Sequence, residues 1–475
     1  MQTQATHTEP RAGVRASALL FVALTSFYLL TSRGRIASID EWHVYGTAES
    51  LEQHGSWELR LPRDEPSANS SEDVPAKKER RFSRYSVVPS LLAAPFCKAA
   101  EPLADHVGSR PMRPRRVSRE IEAGRAPPMS PRDVLQAAAT FSTAFVTAAT
   151  ATILFVGLCR LSIGRGAALA TALVYALGTL AWPYSGSLYV QPVAALGLVS
   201  VVLSTALASD VATALALTFL LAVRLEFVVL LPVLGLHVWR IRRPPTAGLA
   251  ALVLGATAGV GLNVLVNYCR DDPLFMGDYG GEAFSTPFWT GLHGVLFSSG
   301  KGLVWFAPAA VVGLVLMTWL LRVEPRVGFL AAGTTATVLV MVASWWTWHG
   351  GASWGPRLLV PIMPVLVLPL AWVFERWAQI AAGLRVALFT VVAVSIAVQS
   401  WGVMTDPGCD RGAAWWIIGG NESESIYVPQ VGPWGVESSG GVDILWCRLW
   451  HAEPEWRTPV LAIVAILAAV FCACS

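Results

Sequence analysis

Charged residues are scarce in this sequence: they make up 14% of its 475 residues, against about a quarter in soluble domains. That shortage excludes an ordinary soluble globular protein. The net charge of +3 is small and the basic residues are scattered, so the chain lacks the basic face that nucleic-acid binding requires, and no nucleic-acid partner is expected. Seven cysteines are present, but they form no CxxC pair and no His/Cys cluster at zinc spacing, which argues against a structural metal. An internal repeat of the kind many transporters carry is also missing.

What the chain does have is apolar sequence, 54% of the total. Apolar runs of roughly 15 to 22 residues recur along it, and about 20 residues cross the hydrocarbon as a helix. An all-α, polytopic transmembrane bundle is the expected fold, because backbone groups in lipid must satisfy one another. Arg11 and Arg15 precede the first run, 16–32, which reads as a retained span with a cytoplasmic N-terminus. Further spans are expected at about 134–158, 167–182, 190–208, 247–268, 303–321, 327–345, 358–374, 386–403 and 460–473. The stretch 211–238 is long enough for one span, but as one it would leave Arg240, Arg242 and Arg243 outside. A break at Arg224-Leu225-Glu226 returns them to the cytoplasm and brings the total to about twelve spans, with both ends cytoplasmic. The run 87–96 is too short to span and contains Pro89 and Pro95, so a short re-entrant or interfacial helix ended by Lys98 and Glu101 is expected there.

This alternation gives a transmembrane module over 1–403 with an outer loop at 33–133, a second outer loop at 404–457, and a last transmembrane helix within 458–475. The protein is expected to be a multi-pass integral membrane protein of a bacterial inner or plasma membrane, in contact with membrane lipids. Cys409 and Cys447 share the 404–457 loop. They can join in a disulfide in an oxidising compartment or remain two separate thiols.

Four groups of residues stand out as chemistry. Asp40 and Glu41 follow the first span, where a partly desolvated carboxylate can take a proton from an attacking hydroxyl; acidic residues also flank spans without any such role. Arg224 and Glu226 lie in an otherwise apolar stretch, as a structural pair or with the arginine turned to an anionic head group. Lys301 sits between Gly300 and Gly302 just before a span, a point charge suited to phosphate or a lysine reaching for the interface. The run Trp345-Trp346-Thr347-Trp348-His349-Gly350-Gly351-Ala352-Ser353-Trp354-Gly355-Pro356-Arg357 is the most distinctive. An aromatic belt explains its tryptophans in part. Its glycines and final arginine suit a guanidinium held against a phosphate, with Trp348 and Trp354 free to stack on a sugar.

With these residues the chain resembles the GT-C superfamily of integral-membrane glycosyltransferases, near the bacterial relatives of protein O-mannosyltransferases and the aminoarabinose transferases. The resemblance lies in Asp40-Glu41 with Tyr45, Ala48, Ser50-Leu51 and Gly55; in Ser83-Arg84-Tyr85-Ser86 with Pro89, Leu91-Leu92 and Pro95-Phe96; and in Gly178-Thr179 with Trp182-Pro183-Tyr184-Ser185. It continues through Arg224, Phe297-Ser298, Lys301-Gly302-Leu303, Gly350-Gly351 and Gly355-Pro356-Arg357 with Pro361 and Pro364. It implies a polyprenyl-phosphate sugar donor, an extracytoplasmic active site and an aspartate base in the first outer loop. Residue by residue, it implies Asp40 as base beside Glu41, and Arg224, Lys301 and Arg357 as donor-phosphate contacts, with Arg84 and Tyr85 as weaker candidates of the same kind. Gln191 stands where near relatives are expected to carry a histidine. No DxD motif is present, Asp271-Asp272 sits where no family acid is expected, and neither a metal nor another cofactor is expected. The acceptor is left open between protein, lipid and glycan, and the tryptophan-rich 404–457 loop is either its selector or a packed cap. A transporter or flippase of a lipid-linked sugar, using the same cations without bond chemistry, is the competing reading, and a membrane scaffold a third.

Overall fold

A computed structural model describes residues 10–36, 38–59, 82–108, 130–270, 282–351, 353–404 and 465. Among these residues the chain is helical, and the only extended pairing is an isolated bridge between Glu58 and Phe82. The helices are α1 (Pro10–Leu30), α2 (Ile39–His54), α3 (Val88–Gly108), α4 (Pro131–Arg160), α5 (Arg165–Gly178), α6 (Val190–Ala206), α7 (Asp210–Val223), α8 (Leu231–Ile241), α9 (Thr246–Cys269), α10 (Phe288–Phe297), α11 (Pro308–Val323), α12 (Pro325–Ser344) and α13 (Ala382–Met404). Between α12 and α13 a broken helical segment runs Arg357–Glu375.

Five of these are long and apolar enough to cross a membrane: Pro131–Arg160, Thr246–Cys269, Pro325–Ser344, Arg357–Glu375 and Ala382–Met404. They coincide with five of the expected spans. Shorter apolar helices occupy the expected spans at 16–32, 167–182 and 190–208. The expected run 303–321 is divided by Ala307, which leaves a single turn at Leu303–Phe306 before α11 begins at Pro308. Proline suits that first turn because its missing N–H would be unpaired there anyway. The stretch 211–238 breaks as expected: α7 ends at Val223, Arg224 is extended, and a 3-10 turn at Leu225–Leu230 leads into α8. All of the run 460–473 but residue 465, and the paired-thiol candidates Cys409 and Cys447, lie outside the described residues.

The expectation for 87–96 is corrected in its length and end point, while the element is not among the helices long and apolar enough to cross a membrane. A 21-residue helix, α3, runs through Pro95, Lys98, Glu101 and Pro102. An internal proline removes one helical hydrogen bond and costs about 3 kcal/mol in an isolated helix. Here packing offsets that cost, since α3 buries Ala93, Cys97, Ala104 and Val107 while lying along α2 and α4. Pro89 falls in the first turn, where no N–H is needed.

The core runs between α4, α5, α6 and the Arg357–Glu375 segment, whose residues are mostly buried, whereas α9 leaves most of its apolar surface uncovered. Gly255 and Gly259 bring α9 against α7: a Cβ on Gly255 would stand 2.7 Å from the Ala214 carbonyl oxygen, and one on Gly259 would stand 2.7 Å from Leu221 Cβ. This is the small-residue spacing that lets helices in lipid approach closely.

Candidate functional site

The site forms where α2 begins. Ser38 caps this helix: its hydroxyl accepts from the Glu41 backbone N–H at 3.3 Å, and the Glu41 carboxylate accepts from the Ser38 N–H at 3.1 Å. The other Glu41 oxygen accepts from the Leu188 N–H at 2.9 Å. Glu41 is thus buried and joins the start of α2 to the turn before α6. Both oxygens of this residue, expected as the neighbour of Asp40 in the site, are thus engaged in holding the local fold. Farther along α2, Glu52 accepts from Lys98 of α3 at 2.8 Å, and Glu49 lies 3.5 Å from Arg132 of α4. Together these contacts fix the helix at both ends.

Asp40, next to Glu41, faces three partners. Its Oδ2 accepts from Arg357 Nη1 at 2.6 Å, its Oδ1 accepts from the Tyr85 hydroxyl, and Arg84 Nη2 is 3.6 Å from Oδ1. Arg84 also donates to the Tyr85 oxygen through Nε at 3.0 Å and Nη2 at 2.8 Å. A chain of donors therefore runs from Arg84 through Tyr85 to Asp40. Glu282 closes the far side by accepting from Arg84 Nη1 at 3.3 Å.

Burial pushes the Asp40 carboxyl up, but Arg357, the Tyr85 hydrogen bond and Arg84 together outweigh it and hold the group below the usual carboxylate range. Its place in the first turn of α2 works in the same direction, because helix N-termini favour negative charge. Burial and then the Asp40 charge push the Tyr85 phenol well up, so Tyr85 stays a donor.

Arg357 is positioned by the loop that precedes it. Gly350, Gly351 and Gly355 all have left-handed backbones. At Gly355 (φ +60°) a Cβ would also come within 2.8 Å of the Phe306 ring, so only glycine meets both conditions. The Tyr184 hydroxyl donates to the Trp354 carbonyl at 2.9 Å, and the Arg357 guanidinium lies over the Tyr189 ring at 4.4 Å. Its Nε is buried with no partner among the described residues. Lys301 fastens the same loop, donating to the Ser353 carbonyl and, at 3.2 Å, to the Ser353 hydroxyl.

Four of the expected residues thus meet directly or through one contact: Asp40, Arg84, Tyr85 and Arg357. Lys301 is bound to Ser353, in the loop that leads to Arg357. Arg224 pairs through its Nε with Glu226, and no hydrogen bond or ion pair links it to these four among the described residues. Trp348 and Trp354 are both buried. Trp348 fills the space over Gly294, where a Cβ would stand 2.2 Å from its ring, and Trp354 packs edge-on against Phe306 at 5.0 Å. In this arrangement both rings, expected to be free for stacking on a sugar, are taken up in packing. His349 accepts from the Gly351 N–H at 3.2 Å within its own loop. Asp271 and Asp272 lie outside the described residues.

Sequence reasoning missed Tyr189, Arg270 and Glu282. Arg270, at the end of α9, is buried and donates from Nη1 to the Ser83 and Tyr85 carbonyls, 3.1 Å each. None of the three lies in a motif, and only the folded chain brings them to Asp40 or to the turn beside it. No family model matches this chain, and no curated protein matches it.

Proposed function

We propose that this chain is a GT-C-like glycosyltransferase of about twelve spans that moves a sugar from a polyprenyl-phosphate donor to an acceptor at the extracytoplasmic face. The observation that carries the reading is the convergence on Asp40 of two guanidiniums and a phenol from two distant segments, with Lys301 bound to the loop that delivers Arg357. A carboxylate flanked by two guanidiniums suits a reaction that needs a base on one side and an anion acceptor on the other.

In the proposed step the acceptor hydroxyl gives its proton to Asp40 as its oxygen attacks the anomeric carbon. The bond from that carbon to the phosphate oxygen breaks, and the electron pair leaves with the polyprenyl phosphate. A phosphate leaving group needs charge stabilisation more than protonation, and cations in a water-poor site supply it. Arg357 has two roles here. With no donor bound it neutralises Asp40, and a donor phosphate competes for it. Once drawn away, it leaves Asp40 with less positive charge beside it, which makes the carboxylate a stronger base.

One observation favours the flippase or transporter alternative: Asp40, as held here, is a depressed and therefore weak base. Reconstitution of Asp40→Asn with labelled polyprenyl-phosphate sugar separates the two. The transferase reading expects transfer to fall by at least about 10²-fold, in line with loss of a general base, while donor binding is kept. Unchanged transfer would remove Asp40 from catalysis, and flipping without transfer in the wild type would favour the alternative.

A further inference from the structure

The Ser83–Tyr85 turn reaches Asp40 with a hydroxyl and a guanidinium, yet it belongs to no helix. Something must hold it. From one side the Ser86 hydroxyl donates to the Ala222 carbonyl at 2.8 Å. From the other comes Arg270, the residue that ends the 24-residue helix α9. One of its nitrogens is shared between two carbonyls of the turn, Ser83 and Tyr85, at 3.1 Å each. A single guanidinium nitrogen bridging carbonyls two residues apart fixes the curvature of the turn, and charged donors make stronger bonds than neutral ones. The arginine is 5% exposed and stands 185 residues from Tyr85 along the chain.

We propose that Arg270 is a positioning residue, which holds the Ser83–Tyr85 turn so that the Tyr85 hydroxyl and the Arg84 guanidinium stay on Asp40. Arg270 touches no part of Asp40; it acts through the turn. The groups that act on Asp40 are Arg84 and Tyr85 from this turn, Arg357 from the segment after α12, and Tyr189 before α6. Releasing the turn removes the first two and leaves the others in place. The consequence for turnover rests on the transferase reading, whereas the consequence for Asp40 itself does not.

The test therefore reads Asp40 directly. The purified full-length protein in detergent is treated with a water-soluble carbodiimide and an amine nucleophile across a pH series, and modification of Asp40 is followed by peptide mass spectrometry. The reagent attacks the protonated carboxyl, so the pH of half-modification follows Asp40. Tyr85→Phe is expected to raise that pH by about one, a tenfold change in ionisation. Arg270→Ala is expected to raise it at least as far, and the double variant no farther than Arg270→Ala alone, because the hydroxyl is already displaced. Two independent effects would add instead.

Arg270→Lys keeps the charge but loses the planar fork. It is expected to fall between the wild type and Arg270→Ala, and it carries the test if the alanine variant does not give a monodisperse protein. A half-modification pH equal to the wild type's in a folded Arg270 variant would overturn the proposal, as would full additivity. A higher extent of modification at every pH with an unchanged midpoint would reflect access alone and would overturn it too. Loss of transfer plays no part in these outcomes, so the proposal and the transferase reading can fail separately.

Discussion

Asp40 and Glu41 are neighbours in sequence with different fates in the fold. Glu41 is consumed by the Ser38 N–H and hydroxyl and by the Leu188 N–H, while Asp40 collects Arg357, Tyr85 and Arg84. The sign of the Asp40 effect sets its pH dependence. A carboxyl held lower in the folded than in the unfolded chain adds stability above its unfolded value, about 3.9, and loses it as pH falls through the folded value. Removing the charge with Asp40→Asn leaves Arg357 buried and without its carboxylate. The cost is about 2 kcal/mol, below the figure for a fully buried pair because both side chains keep some exposure to water. The thermal midpoint of the wild type should exceed that of Asp40→Asn by a constant margin from about pH 8 to about pH 5, and the margin should close below about pH 4. A margin that shrinks already between pH 7 and pH 5 would contradict the pairing of Asp40 with Arg357 as the source of this stability. At this scale Asp40 and Arg357 were legible because charge is rare in the sequence and each stands at the end of an apolar run. Tyr189 was not, since an aromatic ring beneath a guanidinium leaves no local signal.

At the scale of single elements, α2 is the support of the site, and its start is written in Ser38-Ile39-Asp40-Glu41, a capping-box pattern. That signal was available in the sequence and assigns Glu41 to structure without any coordinates. Ser38→Ala should cost about 1 kcal/mol, lowering the thermal midpoint. If α2 carries Asp40, the variant should also weaken transfer, with the donor affinity less affected than the rate. Full activity in a destabilised Ser38→Ala protein would separate the cap from the site. Helix α3 shows where local rules mislead. Its prolines argued for a short element, but tertiary packing of Ala93, Cys97, Ala104 and Val107 overrides a local propensity. The break at Arg224 was legible for the opposite reason: the length of the run and the charges after it both demanded it.

For the whole molecule, the hydropathy pattern located the five helices long and apolar enough to cross a membrane and several shorter apolar ones, because helix is the form that satisfies the backbone in lipid, but it gave no sign of α2 or α10. It could not show which helix ends converge. Arg270 and Glu282 reach the Asp40 region through contacts of 185 to 198 residues' separation, and such contacts have no period to read. In the proposed function, the end of the bundle where α2, the Ser83–Tyr85 turn and Arg357 meet binds a polyprenyl phosphate that competes with Asp40 for Arg357. The most direct measurement is equilibrium binding of a labelled polyprenyl-phosphate sugar to the protein in lipid nanodiscs, comparing the wild type with Arg357→Ala and Asp40→Asn. Saturable binding by the wild type is expected, with weakening of about 10-fold or more in Arg357→Ala, as loss of a charge-assisted contact implies, and equal or tighter binding in Asp40→Asn. Equal binding by Arg357→Ala and the wild type, or no saturable binding by the wild type, would contradict it.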